Sequence, residues 1–232
     1  MIPISDRLHY RSKPIINYWL IGINIVIFIW ELQLELTGQL GYFVQSWGLI
    51  PGQITAATTN AVFGNPAAWI VVCWRSLALL LGLFIHASFS QILGNLLFLW
   101  VFGKTVENLL GHKRYLGLYL AAGILTGVMQ IIAETNLMVP LIGANGAIAG
   151  ILGAYLMKFP QAKIYTVLPL LVIYIPVELP AIFYLFWWFV QQIFYGIDSL
   201  SIPPIGANSP SLAYWMQIVG LLIGVAYMKW QR

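Results

Sequence analysis

Three short stretches of the chain carry side chains that could do chemistry: His86-Ala-Ser-Phe-Ser-Gln91 with Asn95 after it, Gly143-Ala-Asn145-Gly146, and Gln217. His86 beside Ser88 or Ser90 offers a base near a hydroxyl. Gln91 and Asn95 offer amide N–H donors for a carbonyl oxygen. Asn145 and Gln217 offer carboxamides, which are neither nucleophiles nor bases near neutral pH. Peptide cleavage through an acyl-enzyme needs an activatable nucleophile with a base poised near neutrality. Of the three histidines only His86 lies in these stretches, with Ser88 and Ser90 as its nearest hydroxyls, and offsets of two and four residues along one helix are poor geometry for a dyad. These residues therefore predict a surface that binds polar backbone groups rather than one that breaks bonds. The single cysteine, Cys73, excludes an internal disulfide and a zinc–cysteine site. No metal constellation, phosphate loop or nucleic-acid patch is evident, and no cofactor is expected.

The elements that position these residues follow from composition. Of 232 residues, 60% are hydrophobic and only 8% charged, against about 25% charged in soluble domains. The chain cannot present an ordinary water-facing surface, so it reads as an integral membrane protein of one domain, residues 1–232, with no room for a separate soluble unit. Six apolar runs are long enough for crossings of ~20 residues or close to it: Ile15–Leu34, Leu77–Phe102, Tyr115–Ile132, Asn145–Phe159, Pro180–Phe194 and Leu212–Met228. A seventh run, Ile164–Ile175, is short, contains Pro169, and suits an interfacial or re-entrant piece. With the N-terminus in the cytoplasm, every Lys and Arg except Arg75 falls on the cytoplasmic side, as the positive-inside rule requires. The expected fold is all-α, with six spans and both termini cytoplasmic. The segment Thr37–Trp74 is too long and apolar for a floating loop, and its aromatic rings suit the outer interface.

Polar side chains inside spans cost free energy and mark function. In this topology the second, fourth and sixth spans run inward from the outer face. His86 to Asn95, Asn145 and Gln217 then share the outer half of the membrane, as the walls of one cavity would. Gln91 and Asn95, four residues apart, share a helix face; His86 falls on another side, suited to tying down the long loop. Gly146 with Gly150, and Gly220 with Gly224, are small-xxx-small pairs that predict close contact between the fourth and sixth spans.

Plainer roles stand beside these. Asn145 suits a helix N-cap. Gln91, Asn95 and Gln217 suit hydrogen bonds across helices, and His86 a structural histidine. Phe183, Phe186, Trp187, Trp188 and Phe189 suit lipid-facing bulk. Glu107 with Lys104 and Lys113 suits an interfacial ion network.

The chain resembles the rhomboid intramembrane serine proteases of the bacterial six-helix type over nearly its whole length. The likeness rests on Trp74-Arg75, the run from His86 through Asn95 to Gly103, Val106-Glu107 with Gly111, Gly143-Ala-Asn-Gly-Ala-Ile-Ala-Gly150, Glu178-Leu-Pro-Ala181 and Ala213-Tyr-Trp-Met-Gln-Ile-Val-Gly220. The resemblance implies that the family's serine nucleophile falls at Asn145, its histidine base at Gln217, and its oxyanion-binding histidine and asparagine at Gln91 and Asn95. Three of the four positions depart from the pattern. Gly143 keeps its place in the serine motif, and His86 is the retained first histidine of the second-span motif. The fifth span then borders the lateral opening for substrates.

Loss of nucleophile and base costs serine hydrolases on the order of 10⁶ in turnover. The leading expectation is an inactive member, a pseudoprotease, that holds transmembrane segments of client proteins in contact with lipid and without cutting them. A nonstandard serine endopeptidase using His86 with Ser88 or Ser90, and a constitutive subunit of a larger complex, remain open. A bacterial-type plasma or inner membrane is the expected location, with an internal membrane as the alternative.

Overall fold

The structure, a computed structural model, describes residues 1–8, 12–86, 88–170, 173–201 and 210–231. It is mostly helical. Helix α1 (Ile15–Leu36) begins after Pro14 and stops at Thr37, just ahead of Gly38. Three short helices follow, α2 (Leu40–Trp47), α3 (Pro51–Val62) and α4 (Ala68–Ser76). They form the shelf expected of the long loop, with Tyr42, Val62, Phe63 and Ile70 largely exposed. Among the described residues three helical runs are long and apolar enough to cross a membrane: Ile15–Leu36, Phe89–Leu110 and His112–Ala133. Shorter apolar helical runs occur at Ala68–Phe84, Ala181–Gln191 and Trp215–Trp230.

The second span is not the single helix Leu77–Phe102 that its hydropathy suggests. Helix α5 (Ala78–Leu81) tightens into a 3₁₀ turn at Gly82–Phe84, and the chain then extends at Ile85. Ser88 is also extended and accepts a hydrogen bond from the Gln91 N–H at 3.2 Å, opening helix α6 (Phe89–Phe98) as an N-cap. Capping serine interrupts a run whose apolar residues read as one helix. A π-helical turn at Leu99–Gly103 then leads into α7 (Lys104–Leu110). Asn17 of α1, fully buried, donates from Nδ2 to the Leu99 carbonyl at 3.0 Å. That bond stabilises the wider turn by giving its carbonyl a partner where water cannot reach.

The structure is not all-α either. The run Ile164–Ile175, too short for a crossing, falls in two antiparallel strands, β2 (Lys163–Leu170) and β3 (Ile173–Pro180). The N-terminal strand β1 (Ile2–Asp6) pairs antiparallel with β2, giving the order β1-β2-β3. Ile164, Tyr165, Thr166 and Val167 are β-branched or aromatic and fit a pleated surface better than a helix. Pro169 lies past the stretch of β2 that pairs with β1, where no second ladder needs its missing N–H. Asp6 Oδ2 accepts from Thr105 Oγ1 at 2.5 Å and from Tyr155 Oη at 3.1 Å, seating the sheet on the helices.

Helices α8 (His112–Ala133), α9 (Asn145–Lys158), α10 (Ala181–Ser201) and α11 (Pro210–Trp230) complete the bundle. Every residue of α9 from Gly146 to Tyr155 is buried, so it is the central helix. Around it pack Phe102, Leu118, Tyr119 and Leu185, all fully buried.

Candidate functional site

Helix α9 starts from a turn that only glycine makes easily. Gly143 has φ +112°, a conformation closed to most side chains. A Cβ there would also overlap the Gln91 carboxamide. Gln91 reaches across from α6 and donates from Nε2 to the Ile142 carbonyl at 3.2 Å. Asn145 is the first helical residue, and Ala144 holds the cap position without any side-chain cap bond. The expected N-cap role of Asn145 is therefore not what the structure has. Its carboxamide has no hydrogen-bond partner among the described residues and lines a cavity instead.

That cavity is small, about 80 Å³, and its wall includes Gly82, Thr126, Gln130, Gly143, Asn145 and Met216. Its size suits a few water molecules or one turn of extended backbone. Gln130 is only 8% exposed and has no side-chain hydrogen bond among the described residues. Thr126 donates to the carbonyls of Ala122 and Gly123, each at 2.8 Å. These two α8 residues were missed in the sequence. Their signal was there: a polar i, i+4 pair inside an apolar span.

Gln217 belongs to α11, which runs parallel to α9. A Cβ on Gly220 would overlap the Gly146 carbonyl, and one on Gly224 the Gly150 carbonyl, so the two glycine pairs meet in register. Asn145 immediately precedes the first of these contacts, and Gln217 stands about one turn before it. The two carboxamides thus occupy the same end of one helix pair. Met216, the neighbour of Gln217, supplies the cavity wall on this side.

His86 departs most from expectation. It lies off the helix, 2% exposed, and does not tie down the long loop. Its backbone N–H donates to the Glu31 carboxylate of α1 at 3.1 and 3.2 Å. Its Nδ1 faces the Phe84 carbonyl at 3.2 Å, and Asn95 Nδ2 lies 3.1 Å from Nε2. Both contacts are satisfied at once when the ring proton sits on Nδ1 and the amide donates to Nε2. The extended backbone at Ile85 and at Ser88 is what lets residues nine apart meet. Glu31, 2% exposed, was also missed, although an acidic residue within the first apolar run was its signal. Asn17, Asn24 and Glu31, spaced by seven, form one buried polar stripe on α1.

At the other end of the bundle Glu107 accepts from the backbone N–H of Ile16 and Asn17 at 2.9 and 2.7 Å and pairs with His112 at 2.5 Å. Its partners are the start of α1 and His112, in place of the expected Lys104 and Lys113. Lys104 instead lies over the Trp100 ring. Among the described residues no group of three or more His, Cys, Asp or Glu side chains could hold a metal ion.

The Rhomboid domain model matches residues 73–230, more than half of the chain, and so takes in the α6 run, the Gly143 turn and α11 together. The chain is a member of the rhomboid family. The zebrafish presenilin-associated rhomboid-like protein A, mitochondrial, is 33% identical over 96 residues, covering 40% of this chain and 25% of that protein. Rhomboid protein 1, mitochondrial, of Saccharomyces cerevisiae is 26% identical over 162 residues, 67% of this chain and 40% of the relative. Rhomboid protease GluP of Bacillus subtilis is 26% identical over 94% of this chain and 41% of its own length. This rhomboid thus spans between a quarter and two fifths of the curated relatives it matches.

Proposed function

We propose that this rhomboid is a pseudoprotease that binds transmembrane segments of client membrane proteins without cleaving them, in a six-span bundle whose termini both face the cytoplasm. The supporting observation is the state of the amides at the site. Asn145, at the position the resemblance gives to the nucleophile, faces the cavity with a carboxamide that cannot be activated. The donors at the oxyanion positions are engaged within the chain, Gln91 with the Ile142 carbonyl and Asn95 with His86. Gln130 and Asn145 offer hydrogen bonds to a locally unwound client backbone, whose groups would be costly to leave unpaired in lipid.

The competing dyad of His86 with Ser88 or Ser90 is disfavoured by the same geometry. Ser88 Oγ caps α6, and both ring nitrogens of His86 already have partners. The relatives named mitochondrial favour an internal membrane, whereas the Bacillus subtilis relative favours a bacterial one. The test is direct. Purified protein is offered a transmembrane peptide carrying a photo-cross-linker, together with a fluorophosphonate serine probe. Cross-linking to α8 and α9 without cleavage or labelling is expected; cleavage abolished by Ser88→Ala or Ser90→Ala would overturn the reading.

A further inference from the structure

The shelf that follows α1 encloses a second groove, remote in chemistry from the Asn145 cavity. Its walls are Ile27 and Trp30 of α1, Phe43 and Trp47 of α2, Leu81 of α5 and Ile85, and it holds about 240 Å³. Every one of these side chains is apolar. Trp30 and Phe43 meet edge to face with ring centres 4.8 Å apart, and Trp47 packs on Trp74 at 5.5 Å. A groove with such walls suits an alkyl chain better than water.

A cation stands beside it. Arg75 Nη1 donates to the carbonyls of Gln45 and Ser46, at 3.2 and 3.4 Å, immediately ahead of Trp47. Among the described residues no carboxylate lies within 4.0 Å of Arg75, and its Nε and Nη2 donors have no partner. Arg75 also lines a wider cleft of about 480 Å³ between α3 and α4, with Gln53, Asn60 and Asn65. Within that cleft Gln53 Oε1 is buried without a hydrogen bond. Arg75 thus stands between an apolar groove and a cleft in which Gln53, Asn60 and Asn65 set carboxamides beside its guanidinium.

We propose that this junction is a phospholipid site: one acyl chain fills the groove at Trp30, Phe43, Trp47 and Leu81, and the lipid phosphate binds Arg75. A headgroup hydroxyl or ammonium would supply the donor that Gln53 Oε1 lacks. Size favours a single alkyl chain over a client helix here, since a helix with side chains is ~10–12 Å wide and the groove holds only about 240 Å³. An alkyl chain fits. Charge decides the headgroup, because a guanidinium with free donors binds phosphate through paired, charge-assisted hydrogen bonds. Exposed Trp69, Ile70 and Trp74 on α4 place the shelf at the headgroup level, where such a lipid would lie. The inference goes beyond the client-binding reading and shares no residue with its cavity.

The intact chain in nanodiscs of phosphatidylglycerol and phosphatidylcholine, some carrying an acyl-chain diazirine, provides the test. Cross-links are expected on residues 27–47 and 81–85. Native mass spectrometry after transfer to detergent should find one phospholipid retained per chain. Leu81→Trp, or Ile27→Phe on the facing wall, should remove that retained lipid while the helical circular dichroism and elution volume stay unchanged. Arg75→Gln should lower phospholipid retention roughly tenfold, the worth of one charged hydrogen bond, without altering retention of diacylglycerol. Cross-links spread evenly over the lipid-facing helices and indifferent to Leu81→Trp would mean annular lipid and overturn the site. Diacylglycerol held as firmly as phospholipid would overturn the role of Arg75.

Discussion

Gly146 of α9 and Gly220 of α11 pack backbone to backbone, closely enough that a Cβ on Gly220 would overlap the Gly146 carbonyl oxygen. The contact repeats one turn on, between Gly150 and Gly224. In lipid, where apolar burial gives no net drive between helices, close approach of this kind holds a pair together through dispersion. The same contact places Asn145 and Gln217 at one end of the pair.

Gly224→Val therefore forces α11 away from α9 and should cost at least ~2 kcal/mol, the scale of overpacking in a tight core. Gly117→Ala is the control, because a Cβ there meets only Tyr227 Oη at 3.9 Å, and alanine favours the helix by about 1 kcal/mol. Unfolding in mixed micelles, followed by tryptophan fluorescence, should separate the two variants clearly. Equal stability would mean that the helices do not meet along this face.

Ser88 offers a sharper division between capping and catalysis. As an N-cap it should lose ~1 kcal/mol on replacement by alanine, and Ser88→Thr or Ser88→Asp should restore most of that. A nucleophile would behave otherwise, since aspartate cannot replace a serine hydroxyl in acyl transfer. The stability series and fluorophosphonate labelling, run on the same preparations, give both readouts.

The α9–α11 contact was legible because its cause is local: four glycines, spaced by four on two helices, mark faces where backbones can touch. The break before α6 was not. Ile85 and the residues around it continue an apolar run, and what turns the chain is the Ser88–Gln91 cap together with the His86 N–H bond to the distant Glu31. A continuous helix would put His86 on a different face from Gln91 and Asn95, whereas the break carries it off α6 and onto Asn95. The sheet was hidden for a different reason. Val167 pairs with Ile2, a contact across almost the whole bundle sequence, and a short apolar run does not by itself distinguish strand from helix. Thr126 and Gln130 are legible by the rule that singles out Gln91 and Asn95, polar residues four apart inside an apolar span, although no motif surrounds them.

Placing serine at position 145 and histidine at position 217 tests whether the scaffold alone is inert. Asn145→Ser with Gln217→His supplies nucleophile and base at one end of the α9–α11 pair. Gln91 would still spend its donor on the Ile142 carbonyl. A missing oxyanion donor costs about 10²–10³ in turnover. The double variant is therefore expected to react with a fluorophosphonate slowly and to cleave a transmembrane substrate at the limit of detection. Adding Gln91→His should raise the labelling rate at least tenfold. If the double variant already matches the triple, the engaged state of Gln91 has no consequence for the chemistry.

Glu31 is the remaining polar group whose replacement separates two explanations. Its carboxylate is the acceptor for the buried His86 N–H, through both oxygens, and among the described residues no cation lies within 4.0 Å of it. What the fold needs there is an acceptor rather than a charge. Glu31→Gln keeps a carbonyl oxygen in place and should cost under ~1 kcal/mol. Glu31→Leu leaves the N–H unpaired away from water and should cost ~1–3 kcal/mol. The loss should appear first as faster hydrogen exchange at His86 and in the 82–91 segment, since that bond joins the segment to α1. Protection that is equal in the two variants would show that Glu31 does not hold His86, and that the contact with Asn95 alone fixes the ring.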